Sequence, residues 1–152
     1  MKIKGQIMGF DAQAFLDKYA AAYNDRDPEG MRSFFDLSDP RFAVFEDFTG
    51  ELIDGDGYSA MLEAAFDATG RMSFDLLRCD NFGGVTLLHA VQRIVFEDVE
   101  EGVGEARIRA TLWVKTDAGV PRVVSAHFSA LPSAAQECGV DGCGCAGNMG
   151  EG

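Results

Sequence analysis

Apolar residues recur at helical spacing near the start of the chain. Between residues 11 and 24 they fall at i, i+1, i+4, i+5 and i+8, which places them on one face of a helix. These positions are Phe15, Leu16, Tyr19, Ala20 and Tyr23. Asp11 precedes the stripe and has the side chain of a helix N-cap, so the pattern predicts a helix over residues 11–24.

Two more helices are predicted before the chain turns to strands. Asp27 caps the first of them, Pro28 takes its first position, and it ends before Pro40. It is expected to direct Met31, Phe34 and Phe35 inward. The next helix covers residues 57–69, where Gly70 ends a stripe at i, i+3, i+4, i+7 and i+8. The stripe consists of Tyr58, Met61, Leu62, Ala65 and Phe66.

The remaining ordered segments alternate as strands do. A first strand is predicted over residues 41–48, and the Gly- and Asp-rich turn after it has room for a short strand at 51–53. Four long runs rich in Val, Ile, Phe and Thr follow, at 71–82, 85–97, 105–116 and 122–131. Their short connections predict an antiparallel meander. The fold class is therefore α+β, with N-terminal helices packed on one face of a sheet.

Composition limits the kind of protein this is. The 152 residues are 47% hydrophobic and 25% charged, and they carry a formal net charge of -12. Such a charge disfavours nucleic acid and anionic membranes as partners. No apolar run approaches the ~20 residues that span a bilayer, and no secretion signal is evident. We expect a cytoplasmic protein with one domain over residues 1–131, a Gly-rich tail over 132–152, and no cofactor.

Asp47 is the most conspicuous candidate for chemistry. On a strand it shares a face with Ala43 and Phe45, whereas Phe42, Val44, Glu46 and Phe48 take the other face. If the Ala43 and Phe45 face is the buried one, Asp47 lies in apolar surroundings, which favour proton transfer by a carboxylate. The alternative is a strand-end carboxylate that caps the Thr49-Gly50 turn or meets solvent.

The order of elements and four local strings resemble the NTF2-like superfamily, in its SnoaL-like and ketosteroid-isomerase-like branch. The strings are FLDKYAAAYNDRDPEGM, FAVFEDFTG, GYSAMLEAAF and VVSAHFSAL, and the resemblance covers residues 10–131. It implies a cystatin-like cone, in which a curved sheet wraps around a helix and leaves an apolar pocket open at one end. It also implies a small apolar ligand and a homodimer formed through the outer sheet faces.

The same resemblance assigns roles to single residues. Asp47, after Glu46 and before Phe48-Thr49-Gly50, matches the family's general base, and Tyr19 matches the tyrosine that donates to an enolate oxygen. The family's second oxyanion donor, a protonated Asp, falls here on Thr111 or Leu112. Losing such a donor typically removes ~3 kcal/mol of transition-state stabilisation, so steroid isomerisation itself is not expected. Tyr19 also has a plain alternative as a core tyrosine.

The pattern also predicts the surroundings of several phenylalanines, of both histidines and of the tryptophan. Phe45, Phe66, Phe74 and Phe128 are candidates for the pocket wall, although core packing explains most phenylalanines equally well. His127 is expected to point away from the pocket, and Trp113 on the polar face of the neighbouring strand favours an interface there. The orientation of His89 is open, because both faces of its strand are apolar.

The tail contains Cys138, Cys143 and Cys145 in a C-x4-C-x-C spacing. Three thiolates suit a soft metal, with Cys79 as a conceivable fourth ligand, but the spacing is not that of common zinc folds. Reduced thiols are the simpler interpretation. Three functions therefore stay open: an isomerase, cyclase or dehydratase that abstracts a proton next to a carbonyl; a non-catalytic ligand-binding or dimerisation domain; and a thiol or metal function of the tail.

Overall fold

The structure is a computed structural model that describes residues 10–46, 50–64, 70–98, 102–117 and 119–131. Within these ranges the helices are α1 (Ala12–Asn24), α2 (Pro28–Ser33) and α3 (Gly55–Ala64). The strands are β1 (Ala43–Phe45), β2 (Leu52–Ile53), β3 (Arg71–Asn81), β4 (Val85–Asp98), β5 (Gly102–Lys115) and β6 (Arg122–Ala130). The predicted helices and the four long strands are confirmed in these ranges, and α3 begins two residues before the predicted start.

Side-chain caps begin the first two helices. The Asp11 carboxylate accepts a hydrogen bond from the Ala14 N–H at 3.1 Å, and Asp27 accepts one from the Gly30 N–H at 3.2 Å. Each cap satisfies a backbone donor that has no partner within its helix. The predicted apolar stripe of α1 lies against the sheet and is buried at Leu16, Tyr19, Ala20 and Tyr23, together with Ala12.

The sheet has the strand order β2-β1-β6-β5-β4-β3. β3 to β6 form the predicted antiparallel meander. β1 joins it beside β6 in a parallel arrangement, with Phe45 opposite His127, and β2 pairs antiparallel with β1 at the edge. The helices therefore cover one face of an open, mostly antiparallel sheet.

Two amide side chains attach α1 to the edge strand β3. Asn24 donates to the Met72 carbonyl at 3.1 Å and accepts from the Met72 N–H at 2.7 Å. Gln13 donates to the Phe74 carbonyl and accepts from the Leu76 N–H, both at 3.1 Å. The two residues thereby replace a missing neighbouring strand and satisfy an exposed sheet edge. Tyr19, midway between them, is held over the inner face.

The inner face of the sheet carries the core. Leu88, Leu112 and Val114 are fully buried there, and Ala126 and Phe128 are buried on β6. A bulge between Trp113 and Val114 changes the alternation at the start of β6, where Val123 is fully buried. Among the described residues, no helix combines the length and the hydropathy needed to cross a bilayer. The proposed tail, residues 132–152, lies outside the described residues.

Candidate functional site

β1 directs the Phe42 and Val44 side chains into the core. Phe42 is 3% exposed and Val44 is fully buried, whereas Phe45 is 45% exposed. The Ala43 and Phe45 face is therefore not the buried one. The condition on which Asp47 was expected to lie in apolar surroundings is not met. The larger Phe42 and Val44 side chains pack against the helices instead. Glu46 follows two residues after Val44 and is partly buried.

Tyr58 on α3 lies close enough to Glu46 for the carboxylate to raise the pKa of its hydroxyl group. The Tyr58 ring is 4% exposed and lies 5.0 Å from the Phe35 ring and 6.0 Å from the Phe42 ring, centroid to centroid. Burial in this apolar environment raises the pKa of Tyr58 well above its usual value, and Coulombic interactions with Tyr19, were both phenols to ionise, and with the Glu46 charge raise it further. Tyr58 is thus a neutral phenol beside a carboxylate.

Tyr19 lies close enough to the same carboxylate to be influenced by its charge. Its ring packs 4.4 Å from Phe34, 5.5 Å from Phe35 and 6.2 Å from Phe74, and it is 6% exposed. Burial is the main cause that raises the pKa of Tyr19, and the negative charge of Glu46 is the next. Tyr19 also remains a neutral hydrogen-bond donor across the physiological pH range.

The cluster of Glu46, Tyr58 and Tyr19 therefore places one carboxylate and two protonated phenols inside a wall of aromatic rings. A phenol in apolar surroundings is a strong donor to a carbonyl oxygen that gains negative charge. This combination of a proton acceptor and neutral donors is suited to moving a proton at carbon next to a carbonyl.

Three of the predicted pocket residues belong to this interior. Phe74 and Phe128 are buried, and Phe74 contacts the Tyr19 ring edge-on. Leu112 is fully buried on the inner face of β5. Because side chains alternate along a strand, Thr111 lies on the opposite, outer face. Of Thr111 and Leu112, only Leu112 therefore faces the interior, and its side chain offers no hydrogen bond. Thr111 is corrected to an outer-face residue.

Phe45 is also corrected. Its ring lies on the outer side of the sheet, with its centroid 5.6 Å from that of the His127 ring. It does not line the interior, because alternation along β1 sends it away from Val44. Asp47 and Phe66 lie outside the described residues, as do Cys138, Cys143 and Cys145, so these assignments remain predictions.

Sequence reasoning missed Glu46 and Tyr58 as partners. Tyr58 was identified only as part of an apolar stripe, and Glu46 only as the residue before the candidate base. The available signal was the alternation itself: Phe42 and Val44 make a larger apolar face than Ala43 and Phe45. Choosing the larger face as the buried one would have placed Glu46, rather than Asp47, on the inward side.

The outer face holds the histidines and the tryptophan. His127 is exposed there as predicted, and Trp113 is 36% exposed. His89 lies in the same row, opposite Thr111 in register, and its Nδ1 atom is buried without a hydrogen-bond partner among the described residues. In that part of the chain no three His, Cys, Asp or Glu side chains are grouped so as to hold a metal ion. Cys79 is buried in the core, and this burial raises the pKa of its thiol.

Comparison with solved structures identifies the architecture. A proposed calcium/calmodulin-dependent protein kinase type II association domain from Thiobacillus denitrificans is 18% identical, covers 80% of this chain and 95% of its own, and gives a TM-score of 0.65. A domain of unknown function with a cystatin-like fold from Nostoc punctiforme is 13% identical over 86% and 81%, with a TM-score of 0.68. A proposed dehydratase of the NTF2-like family from Streptomyces avermitilis is 14% identical over 79% and 93%, with a TM-score of 0.63.

The protein has the NTF2-like, cystatin-like fold. This confirms the fold predicted from the sequence. At these identities the similarity establishes the architecture and not the activity. No protein-family model and no curated protein sequence matches the chain. In this NTF2-like domain, the Glu46, Tyr58 and Tyr19 cluster is drawn from the residue after β1, from α3 and from α1.

Proposed function

We propose that this NTF2-like protein binds a small apolar carbonyl compound and catalyses an isomerisation, cyclisation or dehydration by proton transfer. One observation carries the proposal: the Glu46 carboxylate lies within the electrostatic influence of two buried, neutral tyrosines. Glu46 is the proposed proton acceptor. Tyr19 is the proposed donor to the carbonyl oxygen, and Tyr58 is a positioning residue that acts through Glu46.

The choice of Glu46 over Asp47 follows from β1. Val44 is fully buried, and the residue two positions later on a strand tends to point the same way. The Glu46 charge contributes to the raised pKa of Tyr19 and to that of Tyr58, after burial, and this supports a carboxylate near both phenols. The base assigned from the family pattern was its neighbour, Asp47. The two carboxylates therefore make two distinct hypotheses for the same reaction.

Deuterium exchange tests the reaction class without a known substrate. A panel of small cyclic and open-chain ketones is incubated with the full-length protein in D2O, and incorporation at the carbon next to the carbonyl is followed by NMR. We expect Glu46→Gln to lower the exchange rate by about 10²–10⁴-fold, the usual contribution of a general base. Tyr19→Phe is expected to lower it by about 10²–10³-fold, as for a single oxyanion donor.

Two further variants make the test discriminating. Glu105→Gln, on the outer face, is the control and should leave exchange unchanged. Asp47→Asn separates the two base hypotheses, because only one of the two carboxylate variants should abolish exchange. A larger loss in Asp47→Asn than in Glu46→Gln assigns the base to Asp47. Exchange that is equally fast in Glu46→Gln, Asp47→Asn and the parent protein overturns the catalytic proposal.

The second candidate function is association of two copies through the outer sheet face. Exposed aromatic rings cluster there: Phe82 and Trp113 lie 5.8 Å apart, and Phe45 packs on His127. Phe82 is 59% exposed, and exposed large apolar groups that cluster are typical of interfaces. His89 Nδ1 on this face is buried without a partner among the described residues. A second copy would cover the rings and leave the inner cluster free for ligands.

Sedimentation velocity tests this association. Phe82→Lys and Trp113→Lys each place a charge in the ring cluster, and we expect them to convert a dimer to a monomer. Ala21→Lys is the control, since it places the same charge at an exposed position of α1, on the opposite side of the sheet. A parent protein that is monomeric at every concentration, or a dimer unaffected by both variants, overturns the proposal.

A further inference from the structure

A cleft of about 220 Å³ lies away from the Glu46 cluster, where the β5–β6 hairpin meets the segment after α2. Its lining residues are Asp36, Lys115, Val120 and Arg122. We propose that this cleft binds a small monocarboxylate with a short apolar tail. The site is separate from the proposed catalytic cluster, and its test does not depend on that proposal.

Backbone pairing fixes the walls of the cleft. Lys115 and Arg122 are register partners on β5 and β6, so their side chains project from the same face of the sheet. On the other side of β6, the Asp36 N–H donates to the Val123 carbonyl at 2.8 Å, and the Val123 N–H donates to the Phe34 carbonyl at 2.9 Å. These bonds hold Asp36 beside the beginning of β6. The charged groups are therefore placed by ordered backbone on both sides.

One of the two cations is neutralised within the protein. Lys115 Nζ lies 2.7 Å from an Asp36 oxygen and 3.0 Å from an Asp39 oxygen. Asp39 in turn accepts from the Arg41 guanidinium at 2.9 Å. Like charges directly opposite each other in a sheet are unfavourable. Asp36 and Asp39 offset this repulsion at Lys115, because both carboxylates bind its ammonium group.

Arg122 has no such partner: no hydrogen bond or ion pair links its side chain to another residue in the described ranges. The nearest acidic residue of the hairpin turn, Asp117, lies over Gly84 of the neighbouring turn. The cluster thus contains three cations, Arg41, Lys115 and Arg122, and two carboxylates, Asp36 and Asp39. One monovalent anion would complete the charge balance.

The shape of the free cation selects the anion. A guanidinium group presents two parallel N–H donors that match the two oxygens of a carboxylate. Val120 is 68% exposed beside it and offers an apolar surface for a short hydrocarbon tail. Asp36 on the opposite wall repels a second negative charge, so a monocarboxylate fits better than a dicarboxylate or a phosphate dianion.

NMR titration of the full-length protein tests the proposal. Sodium butyrate is added to ¹⁵N-labelled protein at constant ionic strength, with sodium chloride as the reference titration. We expect saturable shifts of the amide signals of Lys115, Val120 and Arg122 with butyrate and none with chloride. Arg122→Gln should weaken butyrate binding at least about tenfold, because a charge-assisted bidentate contact is lost.

A second variant gives the opposite change. Asp36→Asn removes a negative charge from the cleft wall and is expected to tighten butyrate binding by a few-fold. Arg78→Gln is the matched control, since it removes an exposed arginine at the far edge of the sheet and should leave binding unchanged. Equal binding by the parent protein and Arg122→Gln, or identical shifts with butyrate and chloride, overturns the proposal. Binding of phosphate with higher affinity than butyrate overturns the assignment of the ligand class.

Discussion

Tyr58 on α3 lies beside Glu46, the residue that follows β1, and the Glu46 charge together with a hydrogen-bond interaction between the two side chains raises the pKa of Tyr58. β1 is only three residues long, so this contact helps to fix where the carboxylate points. We expect Tyr58→Phe to lower the free energy of unfolding by about 1–3 kcal/mol, the usual cost of leaving a partly buried polar group with one partner fewer. Urea unfolding followed by circular dichroism measures it.

A double-mutant cycle separates this hydrogen bond from general packing effects. Tyr58→Phe and Glu46→Gln are combined, and the coupling free energy is expected to be at least about 0.5 kcal/mol, as for residues in direct contact. Tyr23→Phe combined with Glu46→Gln is the control pair, for which the two effects should add. Additive effects of Tyr58→Phe and Glu46→Gln would contradict the contact.

The two cluster tyrosines are expected to resist alkaline titration. Burial raises the pKa of Tyr19 and the pKa of Tyr58, so both phenols stay protonated in the folded protein where free tyrosine ionises, near pH 10. Absorbance at 295 nm should therefore report incomplete ionisation of the three tyrosines until the protein unfolds. Tyr19→Phe and Tyr58→Phe identify the late signals. Full ionisation by pH 11 in the folded state would contradict this prediction.

The raised pKa values of Tyr19 and Tyr58 also determine how the free energy of unfolding changes with pH. Above pH 10 the unfolded chain loses the Tyr19 and Tyr58 protons while the folded protein keeps them, so the unfolded state binds fewer protons. Stability contributed by the neutral phenols is complete below pH 10 and is lost as the pH rises above it. The urea midpoint should be lower at pH 11 than at pH 8, and this decrease should be smaller in the Tyr19→Phe variant.

The helices and the long strands were predictable because their signals are local. Asp11 and Asp27 cap helices through contacts three residues away, and the α1 stripe repeats over three turns. The alternation of β5 is visible over its whole length. Those periodicities survive in the structure because each element buries the face that its sequence makes apolar.

The candidate site was less predictable because it depends on contacts distant in sequence. β1 is apolar on both faces, so its local pattern indicates the buried face only through the larger size of Phe42 and Val44. That choice is made by β6, which pairs in parallel with β1, and by the rings of Phe35, after α2, and Tyr58, on α3. A difference of one residue in phase then exchanges Glu46 for Asp47 as the inward carboxylate. On β5, a difference of one residue likewise decides whether Leu112 or Thr111 faces the interior.

Asn24 is expected to be important for stability although it is polar. Its amide group makes two hydrogen bonds with the backbone of Met72 and so attaches the end of α1 to the edge strand. Asn24→Ala should cost about 1–3 kcal/mol, since two partly buried backbone groups lose their partner. Lys18→Ala, at an exposed position of α1, is the control and should stay within about 0.5 kcal/mol of the parent protein. Equal urea midpoints for the two variants would show that water replaces the Asn24 contacts without cost.

Asp39 makes the stability of the domain sensitive to acid. Hydrogen bonds from Arg41, and then from Lys115, hold the pKa of Asp39 well below its usual value, so the folded protein keeps this carboxylate ionised at a pH where the unfolded chain protonates it. The unfolded state then binds more protons, and the stability from Asp39 is complete above about pH 4 and lost as the pH falls below it. Urea midpoints at pH 7, 4 and 3 measure this loss.

Asp39→Asn identifies the source of that acid sensitivity, because it keeps the shape of the side chain and removes its charge. The variant is expected to be less stable than the parent protein at pH 7, and the difference should narrow as the pH approaches 3, because Asp39 becomes protonated in the unfolded parent chain there. Asp56→Asn, at an exposed position in the first turn of α3, is the control and should track the parent protein at every pH. A constant difference between Asp39→Asn and the parent across this range would mean that the Asp39 ion pairs do not contribute to acid unfolding.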